Sequence, residues 1–195
     1  NPEMGASLAR EAIELDGADI LVGVPSSPVA LAVGGIATEN KALYIAGPAA
    51  ADAITGASFS PYVFRCGRQN IQDALTMGAA LTGLGDNFIQ ISQDNAFGQG
   101  SAAGFYNVVK AAGGVFPFND SDTGFGAIFA PPETTDFTPY INQILESGAD
   151  VCVILEGEAE VFVEPRAGER KVLGRIGAGG AFGEMSSLTG ELRSA

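Results

Sequence analysis

Along the first 155 residues apolar positions switch between helical spacing and short unbroken runs, and beyond Leu155 they fall into near-strict alternation. Asn1-Pro2 suits an N-cap followed by a first helical position, and Met4, Leu8, Ala12 and Leu15 recur at helical spacing as the apolar stripe of that helix. Ile20 to Val24 reads as a strand, Ser26-Ser27-Pro28 restarts a helix by capping and proline preorganisation, and Ala42 to Ala46 reads as a second strand. Pro61 to Cys66 looks extended, Ile71 to Leu84 helical, Asn87 to Ser92 extended, Ser101 to Ala112 helical and Val115 to Phe118 extended. Asn119 to Thr134 reads as a long polar loop, Thr135 to Ser147 as a helix and Val151 to Leu155 as a buried strand. Strands that alternate with helices predict an α/β fold of parallel strands joined by crossover helices.

Past Leu155 the carboxylates Glu158, Glu160 and Glu164 interleave with Ala159, Val161 and Val163, the pattern of strands with one wet face. Arg166-Ala167-Gly168-Glu169 supplies a turn and Lys171 to Ile176 a returning strand, so a β-hairpin is predicted, followed by a tight bend at Gly177 to Gly180. The chain therefore divides near residues 150–154 into an α/β part and an antiparallel β part.

Charge and composition narrow what these parts can do. A formal net charge of -13 over 195 residues repels nucleic-acid phosphates and anionic lipid, so nucleic acid is not an expected partner. No stretch approaches the roughly 20 apolar residues of a membrane-spanning helix, so no membrane insertion is expected. The absence of histidine removes His-based triads and most zinc sites, so neither a metal nor a cofactor is implied. Cys66 and Cys152 read as two buried apolar thiols. The start at Asn1 reads as a mature or cut terminus. No carboxylate has a recognisable catalytic partner, and Gly98-Gln99-Gly100 lacks dinucleotide-binding spacing, so the chain reads as a binder, not an enzyme. Asp120, Asp122 and Glu133 share one loop without the spacing of a calcium-binding loop and read as solvated.

Gly17-Ala18-Asp19-Ile20-Leu21-Val22-Gly23-Val24-Pro25-Ser26-Ser27-Pro28, Gln93 to Gly100, and Thr135 to Ile141 running into Gly148-Ala149-Asp150 together resemble the type I periplasmic solute-binding proteins of ABC transporters. The likeness is strongest to the branched-chain amino acid and amide binders. It implies partial periplasmic-binding-protein type I lobes over residues 1–153, parallel sheets with flanking helices, and a first lobe crossing near residues 63–67. It also implies an amino-acid ligand, a periplasmic location and ABC transporter membrane subunits as partners. Ser26 and Ser27 stand where a strand's carboxyl end meets a helix N-terminus, a place that favours a carboxylate. The resemblance assigns the ligand's α-carboxylate to Ser27 first and Ser26 second. It places Ala49 and Ala50, with Ala51, where the family uses backbone carbonyls and often a Thr hydroxyl, and Phe97 where an aromatic lies over the ligand.

Ile154 to Val163, the turn at Gly168 and Phe182-Gly183-Glu184 running to Arg193-Ser194-Ala195 resemble part of a cyclic nucleotide-binding domain, a partial antiparallel β-roll over residues 154–195. The resemblance gives Gly183 a backbone approach, Glu184 the ribose 2'-hydroxyl, Arg193 the exocyclic phosphate oxygens, and Ser194 and Ala195 hydroxyl or amide contacts, as suits a cyclic phosphate. It would put the chain in the cytoplasm. Three readings stand at this point: an amino-acid-type solute binder, a cAMP- or cGMP-binding regulatory module, and a chimeric or truncated chain that retains no ligand.

Overall fold

The computed structural model describes residues 1–154, 158–166, 169–177 and 181–182, which fall into two compact units. The first holds residues 1–73 and 95–101, the second residues 74–94 and everything from 102 onward.

In the first unit, helix α1 (Pro2–Glu14) starts as its sequence predicts, with the Asn1 side chain accepting from the backbone N–H groups of Glu3 at 2.9 Å and Met4 at 3.2 Å. Its buried side is not the predicted stripe. Met4, Leu8 and Leu15 are 65%, 58% and 79% exposed, whereas Ala9 is buried and Ala6 and Ile13 pack into the core. The reason is close approach: α1 lies on helix α2 (Ser27–Asn40), and Gly5 faces Val29 with no room for a side chain, so small residues make the contact and the long apolar ones stay outside. Beneath α2, strands β1 (Ile20–Gly23), β2 (Leu43–Ala46) and β3 (Val63–Arg65) form a parallel sheet in that order, with Gly23 beside Ala46 and Ala46 beside Arg65. Ala30, Val33, Ile36, Ala37, Tyr44 and Val63 fill the space between helix and sheet.

Helices α3 (Asn70–Leu81) and α4 (Ala96–Ala111) begin in the first unit and end in the second. The second unit is built on β4 (Phe88–Gln93), flanked in parallel by β5 (Ala127–Ala130) and β6 (Val151–Ile154), with helix α5 at Thr138–Glu146. The predicted hairpin is present as β7 (Glu158–Arg166) antiparallel to β8 (Glu169–Gly177). Strand β9 (Ala181–Phe182) pairs antiparallel with β6, Phe182 opposite Cys152. The fold is thus α/β, parallel sheets flanked by helices.

Three further readings of the sequence need correction. The strand expected at Val115 to Phe118 reduces to one isolated bridge between Asn87 and Val115. The neighbour of β4 is instead β5, inside what reads as a polar loop, because Ala127, Ile128 and Ala130 form a short apolar run that the sheet buries. Helix α4 starts at Ala96, ahead of the expected Ser101, because the Asn95 side chain caps it, accepting from the N–H groups of Phe97 at 2.9 Å and Gly98 at 3.0 Å. Cys152 is buried and its thiol is pushed up to about 12 by desolvation, but Cys66 is exposed; both are free.

The loop that leads into β5 is fixed by Asp120. Its carboxylate accepts from the Tyr106 hydroxyl at 2.6 Å and from the Lys110 ammonium at 3.0 Å. Gly126, at φ +60, then turns the chain into the strand in the left-handed region that favours glycine. The Tyr106 hydrogen bond, and after it Lys110, hold the Asp120 carboxyl below its ordinary value. A lowered folded-state value contributes stability that is complete above the unfolded value, about 3.9, and is lost as pH falls through the lower folded one. Melting temperature followed from neutral pH into acid is therefore expected to fall less steeply in Asp120→Asn than in the unaltered chain; parallel acid limbs would refute the assignment.

Candidate functional site

Parallel strands put their carboxyl ends on one side of a sheet, and the segments that leave β1 and β2 there carry Ser26, Ser27, Ala49 and Ala50. The segments lie close together: a side chain on Gly47 would run into the carbonyl oxygen of Cys66. All the contacts described here lie within the first unit.

Ser26 is the N-cap of α2, exposed, with extended backbone and no capping bond from its hydroxyl. Ser27 opens the helix and is buried; its Oγ accepts from the N–H of Ala51 at 3.1 Å. The two serines thus differ in use, the outer one presenting its hydroxyl at the helix start and the inner one tying α2 to the segment after β2. No acidic residue lies in the first turn of α2, so its N-terminal partial charge is not offset locally.

Ala49, Ala50 and Ala51 are buried, and donors from elsewhere in the unit meet each of their carbonyls. The Arg65 guanidinium donates to Ala49 O at 2.8 Å and Ala51 O at 2.5 Å, and also reaches Arg68 O at 3.3 Å and the Thr55 hydroxyl at 3.4 Å. Burial lowers the Arg65 pKa and the carboxylate of Asp52 opposes that shift, so the group stays a cation. The backbone N–H of Asn70, at the head of α3, donates to Ala50 O at 3.0 Å.

Phe97 sits half-buried in the first turn of α4. Its carbonyl accepts from Asn70 Nδ2 at 2.9 Å, and the Arg68 guanidinium, ion-paired with Asp73, lies 5.8 Å from its ring centroid. Ser27, the three alanines and Phe97 are therefore linked through shared hydrogen bonds, with Ser26 at the helix start beside them. Arg65, Arg68, Asn70 and Asn95 are absent from the sequence-based set. Asn95 and Asn70 carried a readable signal, a capping-type residue at a helix start; the two arginines stood in segments read only as extended or connecting.

Gly183, Glu184, Arg193, Ser194 and Ala195 lie outside the described residues.

Comparison with known proteins bears on what such a site serves. A family model described as "Periplasmic binding protein" matches residues 1–163. The Leu/Ile/Val-binding protein BraC3 of Rhizobium johnstonii is 28% identical over 151 residues, which are 77% of this chain and 39% of that protein. A periplasmic binding protein from Burkholderia mallei has a similar structure, with a TM-score of 0.71 and 29% identity, over 79% of this chain and 39% of that one. An ABC transporter solute-binding protein from R. palustris, solved in complex with 4-hydroxybenzoate, gives a TM-score of 0.69 and 26% identity, over 80% of this chain and 40% of that one. The chain spans about two fifths of the length of these relatives.

The unequal use of the two serines has a measurable consequence. Ser27→Ala leaves the buried Ala51 N–H without its acceptor and is expected to destabilise the chain by about 1–3 kcal/mol. Ser26→Ala removes a hydroxyl that caps nothing and is expected to stay within about 0.5 kcal/mol. Denaturant unfolding of both variants checks this, and equal losses would overturn it.

Proposed function

The chain belongs to the periplasmic binding protein family, and from that premise we propose that it is part of a non-enzymatic solute-binding protein that takes a small organic carboxylate in the periplasm for the membrane subunits of an ABC transporter. The observation that carries this reading is the juxtaposition at the start of α2: an exposed serine hydroxyl and a helix N-terminus without a neighbouring carboxylate, next to a buried alanine segment. Amides at a helix start and a hydroxyl suit the charged end of such a solute, and the half-buried ring of Phe97 suits its body.

Within that class the residues favour an aromatic acid over an amino acid. An α-ammonium needs acceptors, but Ala49 to Ala51 carry no hydroxyl and their carbonyls already accept from Arg65 and Asn70. The Arg65 cation beside them also opposes a second positive charge. A ring carries no such demand, and Phe97 offers it a face. The 4-hydroxybenzoate held by the R. palustris relative fits this preference, while the Leu/Ile/Val-binding relative keeps the amino-acid reading as the alternative. Cyclic nucleotide binding through Glu184 and Arg193, with the cytoplasmic location it implies, rests on sequence resemblance alone.

Calorimetric titration of the chain with 4-hydroxybenzoate, leucine and cAMP separates the readings. Binding of 4-hydroxybenzoate is expected, weakened about tenfold in Ser26→Ala by loss of one hydrogen bond to a charged group. Leucine as the tighter ligand would restore the amino-acid reading. Binding of cAMP that disappears in Arg193→Ala would replace it with the regulatory one, and no heat with any of the three would refute solute binding by this chain.

A further inference from the structure

Asn70 was not among the residues the sequence singled out, yet it holds two parts of the candidate site at once. It is 1% exposed. Its backbone N–H donates to Ala50 O at 3.0 Å, and its side-chain Nδ2 donates to Phe97 O at 2.9 Å across 27 residues of sequence. The amide lies directly against the turn that carries Phe97, since a Cβ added at Gly100 would stand 3.1 Å from Nδ2. Its orientation is fixed by chemistry, because exchanging the amide's oxygen and nitrogen would set two acceptors face to face. Its Oδ1 is buried with no hydrogen-bond partner among the described residues. An apolar side chain of the same size would fill the space without burying an unpaired acceptor, so packing alone does not account for an asparagine here.

We propose that Asn70 is the positioning residue of the site. By bonding the segment Ala49–Ala51 with its main chain and the Phe97 turn with its side chain, it sets where the half-buried Phe97 ring stands relative to that segment and to the start of α2 that Ser27 ties to it, and thereby the ring-bearing solute that can lie against Phe97. This rests on the solute-binding reading for its ligand and on hydrogen bonding for its mechanism. Arg68 and Asn95 also hold Phe97, but the Arg68 side chain is 52% exposed and Asn95 acts within the turn itself, so neither ties the ring to the Ala49–Ala51 segment.

Two variants of the full chain test it. Asn70→Leu keeps the volume and the main-chain bond but removes the side-chain donor; Gly100→Ala leaves Asn70 in place and pushes on its amide. In each, hydrogen exchange at the N–H groups of Phe97 and Gly98 is expected to rise about tenfold while those of β1 and β2 keep their protection. Affinity for 4-hydroxybenzoate is expected to fall about tenfold and that for leucine less than about twofold. A merely structural asparagine would raise exchange throughout the unit and weaken both probes alike, and that result overturns the proposal. So does unchanged exchange at Phe97 in both variants. If the unaltered chain binds neither probe, the solute-binding reading fails, and the exchange measurement still decides whether Asn70 couples the alanine segment to the Phe97 turn.

Discussion

Three consecutive peptide carbonyls, those of Ala49, Ala50 and Ala51, leave the end of β2 in a place that water does not reach, and the surroundings of the candidate site follow from supplying them with donors. An unpaired buried carbonyl costs about 1–3 kcal/mol, so three together would consume a large part of the stability of an ordinary domain. The Ile54 N–H, in the turn that follows, reaches Ala51 O at 3.2 Å, and the other donors come from further along the chain: the Arg65 guanidinium at the end of β3 and the Asn70 N–H at the head of α3. The Ala51 N–H in turn uses the Ser27 hydroxyl at the head of α2. One constraint thus fixes where α2, β3 and α3 meet. The arginine has a second effect, because a cation that satisfies carbonyls also decides what charge is tolerated near them.

Much of this fold was legible because its elements differ in period. Buried parallel strands read as short apolar runs, helices as repeats of 3.6, and the hairpin of β7 and β8 as alternation of apolar and charged positions in the sequence. Where the reading failed, a tertiary contact outweighed the local pattern. The stripe Met4, Leu8 and Leu15 has the spacing of a buried face, yet close packing of α1 on α2 favours Gly5, Ala6 and Ala9 over larger side chains. Strand β5 follows a stretch of glycine, serine and aspartate that reads as loop, and only the pairing with β4 makes a strand of four residues. Ser26, Ser27 and Phe97 could be named from their motifs. Arg65 could not, since nothing in Val63-Phe64-Arg65 indicates that the guanidinium turns back to meet carbonyls 14 and 16 residues earlier.

The sheet of the first unit departs from the usual behaviour of parallel strands, which are covered on both faces. In β1, Val22 is 75% exposed and Ile20 is 52% exposed, while in β2 Tyr44 and Ala46 are fully covered. Burial therefore rises from the β1 edge towards the middle of the sheet. The segments of the candidate site draw their order from β2, the best covered strand of the sheet, and from β3 and α2. Their geometry depends on the more deeply buried part of the sheet.

Each unit holds one fully buried amide side chain with the same division of labour. In the second unit Gln90, in the central strand β4, donates from Nε2 to Ala102 O at 3.1 Å and Phe125 O at 2.7 Å, joining α4 to the turn before β5, while its Oε1 is unpaired among the described residues. In the first, Asn70 donates from Nδ2 to Phe97 O and its Oδ1 is likewise unpaired. Each donates to a carbonyl of α4, Asn70 to Phe97 O in its first turn and Gln90 to Ala102 O further along, so what each place uses is a neutral donor on a short stem. A lysine or arginine would bring a charge that must itself be compensated, and a serine or threonine has a single hydrogen to donate. An amide meets the requirement with its nitrogen, and the unpaired oxygen is the cost of carrying that nitrogen into the core. At each place the donated bonds join segments far apart in sequence, whereas the unpaired oxygen disturbs only its own surroundings.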